Sequence, residues 1–171
     1  GMPVLRQEIA AYMQRRFSLS YSPENEILVS VGGSEAIDMC LRTLIRPGDE
    51  VLIPEPSFVC YKPIVTLCGG IPVPIETFEK DRFRLTPTLL REKITDRTTV
   101  LILPYPNNPT GAVMRREDLE AIADVIRPTN LFVLSDEIYG ELTYGPEKHV
   151  SFASIEDMWE RTVVVNGFSK T

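Results

Sequence analysis

The chain has 171 residues, a hydrophobic content of 43% and a formal net charge of −6, values that suit one globular domain with a core of its own. The acidic balance, with no cluster of Lys and Arg, argues against nucleic acid or an anionic membrane as partner, because phosphate groups are bound by clustered cations. Cys40, Cys60 and Cys68 are odd in number, lack CxxC spacing and sit among apolar neighbours, so they read as buried thiols in a reducing compartment and not as disulfides or metal ligands.

His149 is the single histidine; that excludes a His-rich metal centre and a Ser-His relay, and it reads as a surface residue. No secretory leader opens the chain and no apolar run approaches the roughly 20 residues of a membrane helix. The expected compartment is therefore the cytoplasm. Gly1, ahead of Met2, reads equally as a native residue or a cloning scar.

In chain order, Leu5, Ile9, Tyr12 and Met13 recur at helical spacing after Pro3, which predicts an amphipathic helix over 3–17. Residues 27–31 form a short β run, broken by Gly32-Gly33. Ala36, Ile37, Cys40, Leu41, Leu44 and Ile45 mark a second helix that ends at Pro47-Gly48. A strand at 51–53, a helix at 61–67 and a strand at 71–75 follow. Pro72 and Pro74 assign that last strand to a sheet edge, where a missing N–H is harmless.

Thr86-Pro87 predicts an N-cap and a first-turn proline for a helix to about 94. The runs 100–103, 131–134 and 162–165 are apolar without alternation, and Leu119, Ile122, Ala123 and Ile126 form a helical stripe between the first two. Unalternated strands separated by helices indicate an α/β fold: a mostly parallel sheet with helices on both faces.

In such a sheet ligands gather beyond the carboxyl ends of the strands, and the polar signatures lie there. Gly32-Gly33-Ser34-Glu35 opens a helix, so its backbone N–H groups and the Ser34 hydroxyl could receive a phosphate; the plainer reading is a glycine turn with a serine cap. It is not a GxGxxG dinucleotide fingerprint. Asn107-Asn108-Pro109-Thr110-Gly111 is a stiff turn that can offer an amide to a ligand. Asp136, directly after four apolar residues and Ser135, is a carboxylate in need of a cation or hydrogen-bond donors, or else a helix cap with Tyr139 packed behind it. Glu137 reads as a supporting or solvent-facing residue. Lys170, in Gly-Phe-Ser-Lys after an apolar strand, is a candidate nucleophilic amine or a solvated lysine near the chain end.

Seven segments in order, at 1–6, 31–37, 47–51, 56–61, 106–111, 135–139 and 167–170, resemble the fold-type I, class I and II aminotransferases, which use pyridoxal 5′-phosphate. The resemblance covers residues 1–171 and looks closest to the bacterial aspartate and aromatic aminotransferase-like subgroup. It implies that Lys170 forms the internal aldimine and then shuttles protons, and that Asp136 pairs with the pyridinium nitrogen. By the same resemblance Asn108 and Tyr139 bond the phenolic oxygen and Phe58 lies on the ring face. The amides of Gly33, Ser34 and Glu35 take the phosphate, with Ser169 as a helper. Tyr61 supports the site or reaches across a dimer interface.

The implied parent reaction transfers an amino group between an amino acid and a 2-oxo acid, in a cytoplasmic homodimer. Relatives continue well past the lysine, so residues 1–171 are expected to be a cofactor-binding large domain, incomplete at both ends and without the small domain. That incompleteness should expose unpaired strand edges and favour self-association. Three other readings stand beside this one: a pyridoxal phosphate-dependent β-lyase of the same fold, a non-catalytic aminotransferase-like binding module, and a fragment that binds nothing because its phosphate and ring contacts need polypeptide outside residues 1–171.

Overall fold

The computed structural model describes residues 1–144 and 148–170. Strands β1 (Glu50–Glu55), β2 (Ile71–Glu76), β3 (Thr98–Leu103), β4 (Phe132–Asp136) and β5 (Thr162–Val165) form one sheet in the order β2-β1-β3-β4-β5. Every neighbouring pair is parallel. Helices α1 (Pro3–Phe17), α2 (Gly32–Leu44), α3 (Tyr61–Leu67), α4 (Pro87–Lys93) and α5 (Arg116–Ile126) complete the α/β fold.

Strand side chains alternate between faces, and the two cores follow that alternation. Leu52, Leu101, Leu103 and Val133 face Leu90 of α4 and Leu119 and Ile122 of α5. Val51, Ile53, Val100, Ile102 and Leu134 face Ile37 and Leu41 of α2 and Tyr61 and Val65 of α3. With both faces covered there is no polar side for a strand to show, which is why the sequence runs are apolar throughout. Each such side chain taken from water contributes about 1.5–3 kcal/mol.

Local chemistry fixes the element ends. The Thr86 hydroxyl accepts from the Leu89 N–H at 3.3 Å, with Pro87 in the first turn of α4. The backbone N–H of Arg115 donates to the Asp118 carboxylate at 2.9 Å and so closes the start of α5. The proline-bearing β2 lies at one sheet edge, as its sequence predicts, and β5 lies at the other. Helix α1 packs through Met13 and Phe17 on Leu19 and Ala153, with Val164 of β5 against the same cluster.

Three expectations change. Residues 27–31 are not a strand: the segment has no place in the sheet, and Leu28 and Val31 are 67% and 88% exposed. β-forming residues make a strand only where they pair with a partner, and this segment pairs with neither of the two edge strands, β2 and β5. The second helix starts at Gly32, four residues before the first residue of its apolar stripe. The three cysteines are free but half-buried, not fully buried; burial still raises the Cys40 thiol to about 12.

Candidate active site

Strand β4 ends on Asp136, which alternation turns toward α2 and α3, and only 7% of its surface is exposed. Tyr61, in the first turn of α3, donates its hydroxyl to Asp136 Oδ2 at 2.6 Å, and the Ile138 N–H donates to Oδ1 at 3.3 Å. Burial raises the Asp136 pKa above the ordinary carboxylate value, the two donors pull it back, and the neighbouring Glu137 charge raises it again. The Tyr61 hydroxyl is also raised, first by burial and then by the Asp136 charge, so it remains a donor. Phe58 meets the Tyr61 ring edge-on, with centroids 5.7 Å apart at 82°. Tyr61 is thus buried within this chain and braces Asp136.

Next to this carboxylate lies the start of α2. Gly32 holds φ +81, the left-handed region, and Val31 donates its N–H to the Glu35 carboxylate. A Cβ on Gly33 would stand 3.8 Å from Val165 and 4.0 Å from Ile138, so the ends of β4 and β5 and the first turn of α2 converge there. Ser34 and Glu35 are exposed, and the helix has no side-chain cap at Val31. The serine-cap reading therefore fails, which leaves the amides of the first turn without intrahelical partners.

After β5, Asn166 accepts the Gly167 N–H at 2.7 Å, and the chain turns through Phe168, Ser169 and Lys170. Gly167 packs closely here: a Cβ would stand 2.9 Å from Ile138 Cδ1, so that side-chain end would have to shift to admit one. Lys170 Nζ stands 5.9 Å from the centroid of the Tyr139 ring. Lys170 is exposed, which agrees with its reading as a solvated lysine and not with a buried amine; Ser169 is exposed too.

The turn after β3 divides its labour. Asn107 is buried, and its Oδ1 accepts from the Thr110 N–H at 3.1 Å and the Thr110 hydroxyl at 2.8 Å. That frame displays Asn108 to solvent, three residues before Gly111 at φ +70. The stiffening amide and the displayed amide are therefore different residues.

The solvent-facing reading of Glu137 and the surface reading of His149 both fail, while the supporting role of Glu137 stands open. Glu137 is fully buried on the opposite face from Asp136, and the His149 ring, 7% exposed, bonds it at 2.9 Å. Strand alternation after Asp136 was the available signal for Glu137. Nothing local marked His149, because its partner lies 12 residues earlier in the chain.

The donor set fits pyridoxal 5′-phosphate. Asp136 is a nearly buried carboxylate with hydrogen-bond donors but, among the described residues, no cation, which suits a protonated ring nitrogen. The free amides of α2 suit a phosphate. No group of three or more His, Cys, Asp or Glu among the described residues is placed to hold a metal ion, and no described helix is long and apolar enough to cross a membrane.

The family model "Aminotransferase class I and II" matches residues 1–171. An aspartate aminotransferase of Pyrococcus abyssi is 45% identical over 171 residues, covering 100% of this chain and 44% of the relative. Aromatic-amino-acid aminotransferase 2 of Thermococcus litoralis is 43% identical, again over 100% of this chain and 44% of the relative. The crystal structure of an aromatic aminotransferase from Pyrococcus horikoshii superposes with a TM-score of 0.97 at 45% identity, covering 99% of this chain and 46% of that one. The chain thus spans less than half the length of the relatives it matches.

Proposed function

Because the chain belongs to the aminotransferase class I and II family, we propose that it is the cofactor-binding part of a pyridoxal 5′-phosphate-dependent aminotransferase that moves an amino group between an amino acid and a 2-oxo acid. The observation that carries this reading is the Tyr61-bound Asp136 carboxylate at the end of β4, with the first turn of α2 packed on Val165 and Ile138 and the Lys170 amine 5.9 Å from the Tyr139 ring. When bound, the cofactor supplies an electron sink that lets an amino acid release its Cα proton.

The amides of Gly33, Ser34 and Glu35 hold the phosphate at the positive end of α2, with Ser169 beside them. Asp136 accepts from the ring nitrogen and keeps it protonated, which sustains that electron sink. Tyr61 fixes the carboxylate by donating to Oδ2 and so leaves it one orientation. Asn108 and Tyr139 donate to the phenolic oxygen, and Phe58 covers a ring face. Lys170 would hold the cofactor through its aldehyde and, once the substrate amine has displaced it, its freed amine would be the base that moves the Cα proton.

A visible spectrum tests the reading. Adding pyridoxal phosphate to the purified chain should produce a band near roughly 400–430 nm, typical of the lysine-bound cofactor, and Lys170→Ala should abolish it. A featureless spectrum would remove the claim that residues 1–171 hold the site.

A further inference from the structure

Ser135, Asp136 and Glu137 are consecutive, so the two carboxylates leave β4 on opposite faces. Glu137 has no exposed surface and receives four donors. The hydroxyls of Ser135 and Ser151 reach Oε1 at 2.9 Å each, and the Phe152 N–H reaches it at 3.0 Å. His149 Nε2 reaches Oε2 at 2.9 Å, and because a carboxylate only accepts, Nε2 carries the proton. The first three donors are neutral, so among the described residues the imidazole is the group that can balance the charge.

The imidazole is closely held. The Phe17 ring of α1 meets it edge-on at 5.8 Å and 83°, and a Cβ on Gly140 would stand 2.9 Å from its Cδ2. Among the described residues, the other titratable groups near the pair are Glu141, on which His149 acts, and Tyr12 and Tyr21, on which Glu137 acts. Glu141 is engaged elsewhere, by Arg16 at 2.9 Å and by the Tyr12 hydroxyl at 2.5 Å, both from α1. An unbalanced Glu137 would stand as a buried charge one residue from Asp136, and two such charges resist ionising together.

We propose that His149 is a positioning residue for the cofactor carboxylate: paired with Glu137 on one face of the sheet, it offsets that buried carboxylate, so that Asp136 on the other face is free to receive a protonated ring nitrogen. The proposal rests on the functional reading above in assigning that ligand to Asp136. It makes cofactor affinity depend on a side chain that never touches the cofactor.

The test is a carbon-13 NMR titration of the Asp136 carboxyl in the cofactor-free chain, with the resonance assigned through Asp136→Asn. His149→Gln keeps a donor toward Glu137 and removes the group able to carry a balancing charge, so the Asp136 midpoint should rise by about half a pH unit or more. Glu137→Gln removes the charge itself, so the midpoint should fall by a similar amount. A purely structural role would not give opposed signs. Shifts in the same direction, or no shift in either variant, overturn the proposal. If one variant fails to fold the other decides alone: a rise for His149→Gln or a fall for Glu137→Gln supports the proposal, and any other result overturns it. Because no cofactor is present, opposed shifts in a chain that takes up no pyridoxal phosphate would uphold the charge balance and count against the functional reading.

Discussion

Asp136 shows how one residue ties stability to function. Its folded pKa is raised, chiefly by burial, so between the unfolded value of about 3.9 and the folded one the native state binds more protons than the unfolded state. Stability therefore falls as pH rises through that window and stays lowered above it. Asp136→Asn, which can still accept from Tyr61, is expected to melt at a higher temperature than the parent at pH 7 and to show little advantage below pH 4. Cofactor affinity should nevertheless collapse in that variant, and equal melting temperatures at both pH values would contradict the account. Tyr61→Phe removes the 2.6 Å bond and should weaken pyridoxal phosphate binding about tenfold, the scale of one charge-assisted hydrogen bond, as read by spectroscopic titration.

The places of Asp136 at a strand end, Asn108 in a turn and Lys170 just after β5 were legible in the sequence because strand ends and turn motifs are local. The exposure of Lys170 and the burial of His149 were not, since each depends on what packs there from elsewhere in the chain. For His149 those neighbours are Phe17 and Glu137, drawn from two distant segments.

At the scale of elements, the sheet was readable because both of its faces are covered, leaving each strand a plain apolar run, and because Thr86-Pro87 marks the start of α4 by itself. The segment 27–31 misled for the complementary reason: its residues favour β structure, but pairing requires an edge that no local pattern reports. Two substitutions probe the elements. Ile122→Ala, at a fully buried position of α5, should cost about 2–5 kcal/mol in urea unfolding. Gly167→Ala forces Ile138 aside, because the new Cβ would lie 2.9 Å from its Cδ1. Only the end of a flexible side chain must move, so stability should fall by less than about 1 kcal/mol, while cofactor affinity should fall several-fold as the α2, β4 and β5 ends separate. An unchanged affinity would show that these ends are not held in register by that contact.

Across the whole molecule, β5 is an edge strand flanked by a groove of about 640 Å³, whose walls include Ile9 and Tyr12 of α1, Leu28, Trp159 and Val163. An apolar groove beside unpaired ladder groups favours association. The chain of 171 residues is accordingly expected to elute larger than a monomer in size-exclusion chromatography, and a stable monomer across concentrations would contradict that.

The central claim is that Lys170 and Asp136 serve one cofactor at the carboxyl edge of the sheet. Borohydride trapping of pyridoxal phosphate, followed by peptide mass spectrometry, tests it most directly. The account predicts one stoichiometric adduct, on Lys170, that is greatly reduced in Asp136→Asn. Adducts scattered over Lys62, Lys80 and Lys93, or a Lys170 adduct indifferent to Asp136, would contradict it.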